Sequence, residues 1–280
     1  MALSLSSIDQ TDPGITVGSI QHYDPQNTWF VLGNYSNTGS QTGLVEGKTL
    51  NFSQNKLWVI DSKQLNLLYD YAPRIAYLNE GAGYKNKIQL QSQGATNGTA
   101  TVFQNLSGYP GNSTLPNSDG PLYSGDWVQL STIKGGSQLN FILNPNNDPN
   151  KAPLNSDYRL NPSSPYNPYG PAFWAVYAKP ATTQDGKPFL IMGFEDILGK
   201  GSDNDFNDGM IAVDIGQENF NALFNSSANL GHNPKTLVQV PFEVSPTIGF
   251  LVLAFWWGGK QLIRKGQMLM SLKRPSVSLE

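Results

Sequence analysis

Residues 201–209 read GSDNDFNDG and set Asp203, Asp205 and Asp208 among two asparagines in a chain in which only 14% of residues are charged. Glu195 and Asp196 stand at the other end of the same turn. Adjacent carboxylates repel unless they are solvated, protonated or bridged by a cation. Hard cations such as Ca²⁺ take six to eight oxygen ligands at about 2.3–2.6 Å. Asp203, Asp205, Asn207 and Asp208 offer side-chain oxygens at tight spacing, and Glu195 and Asp196 are placed to close the shell. Gly199, Gly201 and Gly209 permit the sharp backbone path such a loop needs. The expected ligand set is therefore Glu195, Asp196, Asp203, Asp205, Asn207 and Asp208, with calcium as the cofactor. Two other readings stay open: a solvated Asx turn, and a carboxylate pair for glycoside hydrolysis. The latter wants two acids facing each other across a cleft rather than neighbours in one loop.

The spacing is not that of an EF-hand. Asp203, Asp205 and Asn207 match its first three positions, but the glycine arrives one residue late, at Gly209. Asp214 holds the twelfth position within an alternating strand pattern, where the EF-hand has a helix. A second glycine-bearing stretch, NEGAGYKN at 79–86, carries two glycines of a dinucleotide fingerprint with Asn86 in the third place. The strand KIQLQ follows it where a nucleotide fold needs a helix, so that reading fails. Glu80 and Asn86 are expected to make turn hydrogen bonds or to act as additional metal ligands.

Other chemistries are poorly supplied. There is no cysteine, which excludes disulfides, thiolate metal sites and cysteine nucleophiles. His22 and His232 are the two histidines, and neither lies beside a G-x-S-x-G nucleophile motif. A net charge of −3 with scattered cations gives no footprint for nucleic acid. The expectation is a protein that is not an enzyme.

The elements that must hold the acidic loop are strands. Short apolar or alternating runs, rich in β-branched and aromatic residues and bounded by Gly, Pro, Asn and Ser, fall at 28–33, 56–60, 74–78, 87–91, 99–103, 126–130, 137–143, 173–178, 189–194, 209–215 and 237–240. Many short strands predict an all-β fold, an antiparallel β-sandwich or jelly roll over 27–240, after an N-terminal segment of 1–26. The acidic loop then joins two strands as a β-hairpin. Helical signal is confined to 61–71, with Asp61 or Ser62 as N-cap, and to 217–224. The Pro/Asn-rich stretch 144–170 is predicted as a long loop too polar for the core.

Composition changes at Pro241. Residues 241–265 read PFEVSPTIGFLVLAFWWGGKQLIRK, and 244–259 carry no charge. Extended to Ile263, with Lys260 snorkelling, this run reaches the roughly 20 residues of a single transmembrane helix. Trp256 and Trp257 take the place of an aromatic belt, and the cations that follow put the C-terminus, including the basic polar tail 266–280, in the cytoplasm. The β domain is then extracytoplasmic and membrane-anchored. The opening residues have neither a basic n-region nor an apolar h-region, so the export signal this topology needs is expected upstream of Met1 or already removed; the alternative is a tail-anchored chain with its β domain in the cytoplasm.

Two resemblances attach to these motifs. The tail resembles the cyanobacterial PFE variant of the PEP-CTERM sorting signal, which implies Pro241, Phe242 and Glu243 as the recognition motif and an exosortase-type protease as partner. It departs by continuing about fifteen residues past Lys265. GFEDILGKGSDNDFNDGMIAVDIG at 193–216, AYLNEGAGYKNKIQLQ at 76–91 and GDWVQLSTIKGGSQLNFIL at 125–143 resemble the domain-of-unknown-function 4114 family over roughly 68–216. That resemblance implies an exported, calcium-rich surface protein with no established activity. The expected function is a calcium-stabilised envelope or surface protein with a polysaccharide or protein partner. The alternatives are a carbohydrate-binding module, stacking sugars on Trp29, Trp58, Trp127, Trp174 or the tyrosines of 164–177, and more remotely a hydrolase.

Overall fold

Alternating apolar residues pack strands into sheets because each strand buries every second side chain. A computed structural model of the chain describes residues 14–26, 29–30, 42–51, 57–112, 119–181 and 186–232. The chain divides into two compact units, Met1–Val238 and Gln239–Glu280, and the described residues all belong to the first. Its strands are β1 (Trp58–Ile60), β2 (Asn66–Leu67), β3 (Arg74–Asn79), β4 (Lys87–Gly94), β5 (Gly98–Phe103), β6 (Trp127–Gln129), β7 (Ser137–Asn144), β8 (Leu154–Asn155), β9 (Trp174–Lys179), β10 (Phe189–Phe194), β11 (Gly209–Asp214) and β12 (Asn229–Gly231). A helix, α1 (Gln217–Asn225), follows β11.

The fold is mostly β, with two antiparallel sheets. One has seven strands in the order β12-β1-β9-β10-β11-β3-β6; the other runs β2-β7-β4-β5, with β8 added on β7. They share a core: Ile75, Tyr77, Val176, Met192 and Ile211 of the first sheet cluster with Ile88, Leu90, Phe141 and Leu143 of the second. The far face of the seven-stranded sheet is also covered. Ala76, Leu78, Tyr177, Ile191 and Ala212 pack there under Trp29, Phe30, Leu44 and Leu50. Burial on both faces explains why β9, β10 and β11 read as unbroken apolar runs, with all six residues of each buried.

Some expectations change. The segment 61–71 is not an α-helix: it makes a 3₁₀ turn at Ser62–Gln64 and then β2. Asp61 does cap that turn, accepting from the Lys63 N–H, but Leu65 and Leu67 are drawn into the shared core, which needs extended backbone. The polar stretch 144–170 is partly interior. It contributes β8, a 3₁₀ turn at Tyr158–Leu160, and buried Leu154, Asp157 and Tyr158. Its polarity is consumed internally, since Asn161 bonds Asn155 and Pro171, and Asn140 bonds Asn155. The strand expected at 237–240 and the tail from Pro241 onward lie outside the described residues, as does most of 28–33. Among the described residues no helix is long and apolar enough to cross a membrane.

Candidate metal centre

β10 and β11 pair in register with Phe194 opposite Gly209, so residues 195–208 are the loop that joins them. The neighbours of this hairpin bring their ends to the same place. β3 pairs Asn79 with Met210, which sets Glu80 and the 80–86 turn beside the loop. β9 pairs Trp174 with Phe194, and the Glu195 N–H donates to the Phe173 carbonyl at 3.0 Å.

The expected ligands separate into two groups. In the inner group, carboxylate oxygens of Glu195, Asp196 and Asp208 lie within 4.8 Å of one another. Glu195 and Asp196 are 1% and 2% exposed. The Asp196 N–H donates to Asp208 Oδ2 at 2.6 Å, locking the two ends of the loop together. Asn86 Nδ2 donates to Asp196 Oδ2 at 2.7 Å, while Asn86 Oδ1 accepts from the Asn146 N–H at 2.9 Å. Among the described residues no lysine or arginine ion-pairs with these three acids. Burial and the neighbouring carboxylates Asp203 and Asp196 push Glu195 up to about 7. Burial also raises Asp196 despite the Asn86 hydrogen bond, and it lifts Asp208 well above the usual carboxylate range with help from the charges of Asp196 and Glu195.

The outer group joins Asp203 and Asp205 to Glu46, again with oxygens within 4.8 Å. Glu46 is a ligand candidate that the sequence motif does not contain. It sits 157 positions before Asp203, in a stretch with no acidic pattern, and only the folded chain brings it near. Asp205 Oδ2 accepts from the Gly47 N–H at 2.8 Å and Asp205 Oδ1 from the Asn207 N–H at 3.0 Å. Burial, with the charges of Asp203 and Glu46, raises Asp205 to about 7.

Both groups fit a hard cation. In each, three carboxylate oxygens lie within 4.8 Å of one another, close enough for one oxygen-liganded cation to bridge them. Asp196 Oδ1, Asn204 Oδ1 and Asn207 Oδ1 are buried without a hydrogen-bond partner. Each such atom costs about 1–3 kcal/mol unless a donor or cation satisfies it. A cavity of about 310 Å³ lined by Tyr84, Lys151, Leu154, Asp196 and Leu198 gives an approach to the inner group.

The loop backbone is bent to present these oxygens. Asn204 and Phe206 both have φ of +59°, a left-handed conformation uncommon for asparagine and a true outlier for phenylalanine. They flank Asp205 and are held by packing: the Phe206 ring is fully buried against Tyr169, centroids 5.8 Å apart. Gly193 makes room, since a Cβ there would meet the Phe206 carbonyl oxygen at 2.3 Å.

The remaining sequence candidates take other positions. Glu80 is 2% exposed and accepts from the Gly108 N–H at 2.9 Å. It is not among the acids of either group, whereas Asn86 touches the inner one through its hydrogen bond to Asp196 and helps to position it. Asp214 is at the opposite end of β11, ion-paired with Arg74 and accepting from Tyr71 Oη at 2.8 Å. Trp29 and Trp174 are core residues, 3% and 1% exposed, and present no stacking face to solvent; Trp58 and Trp127 are half-buried.

No curated protein and no solved structure matches the chain. The sequence model of the family described as "Domain of unknown function (DUF4114)" matches residues 123–216, about a third of the chain. The 76–91 segment falls before that match, as does Glu46. The similarity to DUF4114 therefore covers β10, β11 and the whole loop between them, and with it every acid of the inner group.

Proposed function

We propose that this chain is a non-enzymatic surface protein of the cell envelope whose β domain is stabilised by Ca²⁺ bound in the β10–β11 loop. The observation that carries this is the inner group: three carboxylates gathered within 4.8 Å, two buried and Asp208 half-buried, with no lysine or arginine in an ion pair with them among the described residues. Buried like charges are strongly unfavourable without a partner, and the unpaired Asp196 oxygen is the acceptor left for an ion. Glu195, Asp196 and Asp208 would hold the ion, with Asn86 orienting Asp196. Bound calcium would tie strand ends β10 and β11, and about 2.7 kcal/mol of stability follows at a free ion concentration a hundred times Kd. The three acids come from one loop, a placement that suits cation ligation better than the facing pair of a glycosidase.

The envelope placement is supported by the PFE-type tail, its apolar run and the cations that follow it. In this reading residues 241–265 are a transmembrane anchor and sorting signal, with an exosortase-type protease as the processing partner. Thermal unfolding of the full-length protein in calcium and in chelator tests the calcium assignment; fractionation with protease shaving of intact cells tests the topology.

A carbohydrate ligand is the second reading. It is favoured by the cavity at Asp196 and by Tyr109 and Tyr123, which stack at 4.7 Å and are both exposed. A glycan array run with calcium present decides it, and silence there removes it.

A further inference from the structure

We propose that Glu46, Asp203, Asp205 and Asn207 form a second Ca²⁺ site, distinct from that of Glu195, Asp196 and Asp208, and that an ion there fastens the 42–51 segment onto the β10–β11 loop. The proposal rests on the calcium reading above and extends it from one site to two. The three carboxylates already converge within 4.8 Å. Asn207 gives an independent sign of a ligand. It is 6% exposed, yet its Oδ1 has no hydrogen-bond partner. That oxygen faces the same small space as the Glu46 carboxylate: the point where a Cβ on Gly81 would fall lies 2.2 Å from Asn207 Oδ1 and 2.8 Å from Glu46 Oε2. Gly81 therefore keeps clear a cradle walled by an amide oxygen and a carboxylate.

The segment 42–51 is already docked by hydrogen bonds. The Gly47 N–H donates to Asp205 Oδ2, Thr49 Oγ1 to the Asp203 carbonyl at 3.0 Å, and the Leu50 N–H to the Asn204 carbonyl at 2.8 Å. These bonds bring Glu46 against two acids of like charge. An ion turns that repulsion into a link between chain segments more than 150 positions apart. Glu46 and Asp203 are exposed, so water completes the shell and this site is the weaker of the two.

The test is calorimetric Ca²⁺ titration of the calcium-stripped full-length chain, paired with limited trypsinolysis at the exposed Lys48. Two ions per chain are expected in the wild type. Glu46→Gln should retain only the tighter one and lose calcium protection of the Lys48–Thr49 bond, while Asp208→Asn should retain only the weaker one. Circular dichroism confirms that each variant is folded. A single ion in both wild type and Glu46→Gln overturns the second site and leaves the calcium reading standing. Two ions retained in Glu46→Gln likewise overturn it. No binding to the wild type overturns both.

Discussion

The backbone N–H of Asp196 donates to Asp208 Oδ2 at 2.6 Å, so the two ends of the β10–β11 loop are joined directly. The same Asp196 takes Asn86 on its other oxygen's side, at Oδ2, and leaves Oδ1 without a partner. The loop is thus closed by its own backbone before any ion binds, and an ion would meet carboxylates already in place. That arrangement leads to several measurable consequences.

The calcium-free protein should lose stability as pH rises. Glu195 and Asp205 are raised to about 7 from ordinary values of 4.5 and 3.8. The folded state therefore binds more protons than the unfolded state between about pH 4 and 7. The stabilising contribution of protonation is complete below the unfolded values and disappears as pH passes the folded ones. Melting temperatures in chelator should fall from pH 5 to pH 8. With saturating calcium the decline should be abolished, because the ion replaces the protons, and calcium affinity should strengthen over the same interval.

Asp208→Asn removes one charge of the inner group and keeps an oxygen to accept from the Asp196 N–H. At pH 8 in chelator it should melt at or above the wild-type temperature, since like-charge repulsion is relieved. In calcium it should lose most of the ion-dependent rise. For a domain of this size each kcal/mol corresponds to roughly 2–4 °C. Differential scanning calorimetry of both proteins under both conditions checks the crossing.

Asp214→Ala separates a structural acid from the ligand acids. Asp214 is 2% exposed and accepts from Arg74, Tyr71 Oη and the Gly216 N–H. Its loss should destabilise the fold by about 3–5 kcal/mol by leaving a partly buried guanidinium unpaired. Calcium stoichiometry of the folded variant should be unchanged, as read by titration below its melting temperature.

Gly193→Ala should act on the loop from beneath. The new methyl would meet the Phe206 carbonyl oxygen at 2.3 Å. Shifting that backbone should cost about 1–3 kcal/mol and weaken calcium binding, although Gly193 offers no ligand atom. Titration and thermal unfolding together report both effects.

Much of this was legible in the residues. Strands such as 189–194 and 209–214 announced themselves because a sheet covered on both faces favours apolar side chains along most of each strand. The acidic loop was legible because five of its six expected ligands fall into the two carboxylate groups, with Asn207 lining the outer one. What could not be read was set by long-range contact. Glu46 belongs to the outer group only because hydrogen bonds from Gly47, Thr49 and Leu50 dock its segment on the loop. Leu65 and Leu67 stand at the i, i+2 spacing of a strand amid a run of helix-forming residues, and pairing of β2 with β7 holds the extended form. The polar stretch 144–170 hides Leu154 and Tyr158 in the interior because its asparagines bond one another and the backbone.

The most direct measurement is the melting temperature of the full-length protein at pH 7.5, stripped with chelator and then returned to millimolar calcium. A rise of roughly 5–10 °C is expected, from about 2.7 kcal/mol at a hundredfold excess over Kd, reversed by chelator and absent when Glu195, Asp196 and Asp208 are all changed to their amides. Identical melting in chelator and calcium, with no heat of binding on titration, would contradict it.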